Sequence, residues 1–351
     1  MKSTGPLYQE LVYPSGHKTV AGRRSERAER LVAFCLGVYA DTPPPVCSEN
    51  RYYLKNKFVH LFRNGFRRPV LRANPHRELR DQKKIVEAWI AQGARIPPFL
   101  SCWLIRGDSA GAGSDSERGL HFAGMRHPDH RHLVLAPTAN RERFLGPLLA
   151  SQMEEIRGDW TPWEEKSNAV WWGGALTGSH WADRPPHPLT RRAVLGHFND
   201  NPSERVRLHL SEIPQEEHAD GFQAIGRFEK RDAFRHKALL LLPGHDIASG
   251  SSWAFSGNSV VMMPEPHLEH ILYFEMAPWE HYVPVDNDPA DVPVKLDWVL
   301  GNQNEAQRIV ARAHERLRWL AGPEYLWACN EVLRRVAPPL SMRIRRRWKL
   351  R

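Results

Sequence analysis

The sequence predicts an α/β fold built from two Rossmann-like domains that face each other across a cleft. Three observations lead there. Short apolar runs of strand length alternate with helical patterns through both halves of the chain. One run, Ala238 to Leu242, leads into the small-residue loop "GHDIASGSS" at Gly244 to Ser252 and then into a helix. The length of 351 residues is enough for two domains, each with an ordinary core.

In the first half, "RRSERAERLVAFCLGVYA" is an amphipathic helix beginning at about Ser25, and "PPP" at Pro43 to Pro45 closes that unit as a rigid linker. A second helix is expected over Asp81 to Gln92. Asp81 caps it, Ile85 and Trp89 fall one turn apart, and Gly93 stops it. "PPFLSCWLIRGD" reads as a strand ending in a loop, and "HLVLAP" at His132 to Pro137 as another strand.

From Asn168 the order is strand, loop, helix, then the strands "RVRLHL" and "ALLLL", a helix, and the strands "SVVMM" and "HYVPV". This alternation predicts a doubly wound domain. Gln303 to Leu320 is expected as a helix, with Ile309, Ala313, Leu317 and Leu320 on one face. The expected domains are residues 1–155 and 156–325, followed by a basic segment at 326–351. No internal repeat is present.

The loop Gly244 to Ser252 carries the chemistry. Small side chains let a backbone approach a ligand closely, and the helix that follows turns free N–H groups toward it. In an α/β sheet such an anion site lies at the carboxyl ends of the strands. Phosphate or nucleotide binding is the reading from the residues alone.

Composition narrows the classes. No window holds the roughly 18 continuous apolar residues a membrane span needs, and "MKSTGPLYQELVYPSG" lacks the apolar stretch of a secretory signal, so a cytoplasmic location is expected. Cys35, Cys47, Cys102 and Cys329 are scattered without metal or redox spacing. The net charge of +9 is concentrated: Arg334 to Arg351 holds eight basic residues and no acidic one. Mixed with Leu, Met, Ile and Trp, that tail suits the surface of an anionic membrane. A solvated tail or a non-specific nucleic-acid contact fits the same composition.

Two ordered blocks resemble the family-90 glycosyltransferases: "PWEEKSNAVWWGGALTG" at Pro162 to Gly178, and "GHDIASGSSWAFSGNSVVMM" with "PWEHYVPV" some fifteen residues later. The resemblance runs from about Trp160 to Leu320 and is faint before that. It implies a GT-B arrangement, with an acceptor-side domain at 1–155 and a nucleotide-sugar domain at 156–325. It also implies an inverting transfer from a UDP-type donor to a hydroxyl of a glycan or lipid-linked glycan, of lipopolysaccharide or capsule type. No cofactor and no essential metal are implied. A base must take the acceptor's proton, and positive or N–H groups must stabilise the leaving diphosphate.

Asp108, at the end of "SCWLIRGD", is the residue the resemblance offers as base; a turn aspartate in the polar loop "GDSAGAGSDS" is the alternative. For the donor it offers Gly174, Thr177, Lys237, Gly244, Ala248, Ser249, Gly250, Ser251 and Ser252, with Glu269 toward the ribose. An ordinary helix cap competes for the serines, a sheet cap for Lys237 and a surface helix for Glu269. Asn258 and Ser259 read as structural partners of the loop. Two family cations are missing, where this chain has Gly173 and Ser252, and Arg184, Arg191 and Arg192 follow as possible substitutes. Their loss raises a second hypothesis, a catalytically degenerate relative that binds nucleotide sugar or glycan without transfer. "DND" at Asp286 to Asp288 reads as a turn more than a metal site, and "HPDHRH" as a loop more than a zinc site. The Trp171–Trp172 pair reads as core more than as a stacking surface.

Overall fold

A computed structural model describes residues 24–42, 59–64, 69–72, 93–95, 101–105, 121–136, 138–140, 143–178, 189–215 and 217–337. The chain is α/β and divides into two compact units. One comprises Leu149–His267 and Glu275–Arg318; the other comprises the remaining residues, including the inserted segment Leu268–Phe274.

The unit around residues 149–318 holds a five-stranded sheet: β1 (Ser167–Ala175), β2 (Val206–Glu212), β3 (His236–Leu240), β4 (Val260–Met263) and β5 (Val283–Pro284). All its pairings are parallel, and the spatial order is β2-β1-β3-β4-β5. Both faces of such a sheet are covered, so its strands read as continuous apolar runs rather than alternating ones. Val170 and Trp172 of β1, Ala238 and Leu240 of β3, and Val260 and Met262 of β4 face one core. Helices α1 (Arg191–Asp200), α2 (Ser251–Phe255), α3 (Asp291–Gly301) and α4 (Gln303–Leu320) follow in chain order. Val194, Val292, Leu296, Ala306 and Ile309 bring α1, α3 and α4 onto that core. On the opposite face Trp171 packs edge-on against Phe228, with ring centroids 4.7 Å apart.

The other unit has a mixed sheet, in the order 69–72, 59–64, 101–105, 121–123, 133–135. Its first two pairings are antiparallel and its last two parallel. Helix Glu26–Leu36 begins as expected at Ser25, whose hydroxyl accepts the Ala28 amide at 3.2 Å. It packs against a helix at Pro323–Arg335, where Arg335 reaches Glu29 and Arg334 and Arg335 pair with Glu331. Cys35 and Cys329, from these two helices, are buried free thiols; burial pushes Cys35 up to about 12. The expected helix at Asp81 to Gln92 and the tail beyond residue 337 lie outside the described residues. No described helix is long and apolar enough to cross a membrane.

Candidate active site

In the order β2-β1-β3-β4-β5 the chain leaves β1 toward one side of the sheet and β3 toward the other. The two connections diverge at the carboxyl ends of adjacent strands, the place where an open α/β sheet has its ligand crevice. Its walls are Leu176 to Gly178 after β1 and Leu241 to Gly250 after β3. The walls touch through glycines. Gly178 has φ +90°, and a Cβ there would lie 2.7 Å from the Gly244 carbonyl carbon and closer still to its oxygen. A Cβ on Gly244 would lie 2.8 Å from Thr177 Oγ1 and 3.0 Å from Arg191 Nη2. Glycine at both positions lets these loops, the Thr177 hydroxyl and the Arg191 guanidinium pack this closely.

Arg191, the first residue of α1, stitches the crevice together. Its Nη1 donates to Ala175 O and Thr177 Oγ1, both at 2.8 Å, and its Nε and Nη2 donate to Leu242 O at 3.4 and 3.2 Å. Burial lowers its pKa to about 10, with Asp246 and then Glu217 opposing the shift, so it is cationic at neutral pH. Arg192 turns elsewhere, to Asp220, the His218 carbonyl and Glu217.

The expected donor residues divide. Gly174, Thr177 and Gly244 meet at this crevice, where a Cβ on Gly174 would be 3.7 Å from Arg191 Nη1. In the Ser-rich loop, Ser251 is buried, and its amide and hydroxyl both return to Ala248 O at 2.9 and 2.7 Å. That serine and Ala248 hold the loop's shape. Ser249 is exposed, and Gly250 and Ser252 are partly exposed. The Trp253 indole lies beside Gly250, within 3.1 Å of where a Cβ would be. Lys237 lies at the amino end of β3, its Nζ donating to Gln303 Oε1 at 3.1 Å and sitting 5.7 Å from the Trp163 ring centroid. Glu269 belongs to the other unit, on the strand Glu269–His270, where Arg126 and Arg131 hold its two oxygens at 2.6 and 2.8 Å. Asp108 and Arg184 lie outside the described residues.

Gly173 has a packing reason. A Cβ there would come within 2.6 Å of Trp171 Cζ2 and 2.8 Å of Phe228 Cε1, so an arginine at 173 would displace both rings. Both tryptophans of the pair are buried, and Trp172 belongs to the core. In "DND", Asp288 accepts the Ala290 amide, as turn residues do, and Asn287 accepts the amide of the distant Leu189. Among the described residues no group of three or more His, Cys, Asp or Glu is arranged to hold a metal ion. The rings of His127, His130 and His132 pack in series.

Lys166 is the residue that sequence reasoning missed. It is buried, and its Nζ donates to Asn258 Oδ1 at 2.9 Å, to Ser259 Oγ at 3.0 Å and to Phe234 O, with no carboxylate among these partners. Asn258 and Ser259, expected as partners of the loop, instead hold Lys166, and they donate to Thr161 O and His236 O. Burial lowers the Lys166 pKa to about 8. Between pH 8 and the ordinary lysine value the unfolded chain holds a proton that the folded chain has lost, so this group's contribution to stability rises with pH there. We expect Lys166→Met to flatten the rise by up to about 1.4 kcal/mol per pH unit, measured by urea unfolding at pH 7 to 10. Parallel stability–pH curves for the two proteins would refute this.

Comparison with known proteins falls on the same region. The family described as Glycosyl transferase family 90 matches residues 147–320. Protein O-glucosyltransferase 3 of Rattus norvegicus is 33% identical over 97 residues, 27% of this chain and 19% of that protein. O-glucosyltransferase LpsA of Dichelobacter nodosus is 24% identical over 180 residues, 50% of this chain and 52% of that protein. Protein O-glucosyltransferase 2 of Danio rerio is 28% identical over 87 residues, 25% of this chain and 17% of that protein. The chain thus aligns with between 17% and 52% of the length of these relatives.

Proposed function

Because residues 147–320 belong to glycosyltransferase family 90, we propose that this protein is an inverting glycosyltransferase that moves a sugar from a UDP-type nucleotide sugar to a hydroxyl of a glycan or lipid-linked glycan. The observation that carries this is the crevice at the carboxyl ends of β1 and β3, where the family's two motif blocks meet through Gly178 and Gly244. A diphosphate in that crevice would face Thr177 and the exposed part of the loop at Ser249, Gly250 and Ser252. The relatives' names make glucose the first sugar to test. A GT-B arrangement of the two units, with the acceptor bound by the first, is part of the same proposal. So is a cytoplasmic site at the inner face of a membrane, with the basic tail against anionic lipid.

In the proposed reaction the Asp108 carboxylate takes the proton of the acceptor hydroxyl as that oxygen attacks the anomeric carbon. The bond from that carbon to the diphosphate oxygen breaks on the opposite face, and UDP leaves carrying the electron pair. Asp108→Asn is expected to lower transfer about 100- to 10,000-fold, with donor affinity unchanged. A variant retaining wild-type transfer would remove Asp108 from this role.

The second reading is a relative that binds but does not transfer, and the observation favouring it is Gly173 packed beneath Trp171 and Phe228 where the family carries a cation. The experiment that separates the two is calorimetry with UDP, UDP-glucose, UDP-xylose, UDP-galactose and GDP- and CMP-sugars, followed by measurement of UDP release with glycan and lipid-linked acceptors. Binding with acceptor-dependent release supports the transferase. Binding without release under any acceptor supports the second reading, and no binding of any nucleotide sugar overturns both.

A further inference from the structure

We infer that Arg191 is the cation of the diphosphate subsite, taking over the charge absent at Gly173 and Ser252. This rests on the nucleotide-sugar reading above and deepens it. The structure separates two of the arginines that follow the first motif block, Arg191 and Arg192. Arg184 lies outside the described residues, and Arg192 is committed to Asp220, the His218 carbonyl and Glu217. Arg191 stands in the crevice itself, bonded to Thr177, to Ala175 at the end of β1 and to Leu242 in the loop just after β3.

Several features of Arg191 work against folding and toward an anion. It is 8% exposed, yet among the described residues no carboxylate makes an ion pair with it, and Asp246 and Glu217 act only at longer range. A buried guanidinium without a close counter-charge is costly. It also opens α1, whose first turn contains no acidic residue. The positive end of a helix favours anions and disfavours a cation. The charges of Arg191 and of the helix therefore add at the crevice instead of cancelling.

The donor count points the same way. A guanidinium has five N–H groups. Four of them reach Ala175 O, Thr177 Oγ1 and, twice, Leu242 O. The fifth, on Nη2, has no acceptor among the described residues. Nη2 is also the nitrogen beside Gly244, where the absent Cβ would lie 3.0 Å away. The positions where relatives carry cations therefore need not be filled, because this positive charge approaches the same loops from beneath. In the transfer step it would offset the charge on the departing diphosphate.

The test compares charge with hydrogen bonding. R191K keeps a cation, and R191Q keeps a donor without charge. Calorimetry with UDP, uridine and inorganic pyrophosphate is run on both variants and on the wild type. We expect R191Q to weaken UDP and pyrophosphate at least about tenfold, R191K to stay within about fivefold, and uridine to stay within about twofold in both. Uridine and UDP falling together, or R191K and R191Q losing UDP equally, would make Arg191 a structural staple and overturn the inference. Unchanged UDP affinity in R191Q would overturn it as well. In each of those outcomes wild-type binding of UDP leaves the donor reading standing. Wild-type protein that binds neither UDP nor pyrophosphate would overturn both.

Discussion

Glu269→Ala is expected to destabilise the fold by about 3–5 kcal/mol, the cost of leaving a buried charge without its partner. The charge is Arg126, 1% exposed. Its Nε donates to Glu269 Oε2 at 2.6 Å, and its Nη1 donates to Leu133 O at 2.6 Å and Cys35 O at 3.1 Å. Nη2 donates to Phe34 O. One guanidinium thus ties the end of helix Glu26–Leu36, the strand Leu133–Leu135 and the inserted strand Glu269–His270 into one unit. The carbonyls supply dipoles, and Glu269 supplies the only full negative charge among these partners. Its removal leaves a cation that water cannot easily reach. Arg131→Ala removes the other partner of Glu269, but that arginine's side chain is 59% exposed, so a loss below about 1 kcal/mol is expected. Urea unfolding of the three proteins measures both values, and a Glu269→Ala loss below about 1 kcal/mol would mean that solvent compensates Arg126. UDP affinity of folded Glu269→Ala should stay near that of the wild type. A large drop there would return Glu269 to the donor-binding role expected from sequence.

Gly178→Ala is expected to cost about 2–5 kcal/mol and to abolish donor binding, from two sources. The residue has φ +90°, where an L side chain is strained, and its Cβ would strike the carbonyl of Gly244, which cannot rotate away as a side chain tip would. Gly226→Ala isolates the first source. It has φ +91° with nothing within 4 Å of a Cβ, so it should lose only about 1–2 kcal/mol and leave donor binding intact. The difference between the two variants measures the collision of the loops. Equal losses in thermal or urea unfolding would show that the loops separate easily, and the crevice would then not be preformed.

Local signals carried the elements that proved legible. Ser25 at a helix start and the apolar face from Ile309 to Leu320 depend on neighbours within a few residues, and both helices form where those signals lie. The strands around Val170, Val206, Leu239 and Val261 were readable because both faces of a parallel sheet are covered, which writes continuous apolar runs into the chain. At Gly244 the sequence reading was of room for a ligand beside a small residue, whereas the structure packs Thr177 and Arg191 there. Ser251 was not legible: an inward hydroxyl on Ala248 O and an outward one offered to a ligand have the same sequence.

The sequence by itself carried the α/β class and the two ordered blocks that match glycosyltransferase family 90 over residues 147–320, since these rest on local pattern and ordered motifs. Tertiary structure alone decided which charges meet. Glu269 finds Arg126 across 143 residues of chain, Lys166 is buried against Asn258, 92 residues away, and Arg191 joins the ends of two strands. A charged side chain's role is set by what surrounds it after folding, because its desolvation and its partners come from segments distant in the chain. Spacing along the chain carries no record of that environment.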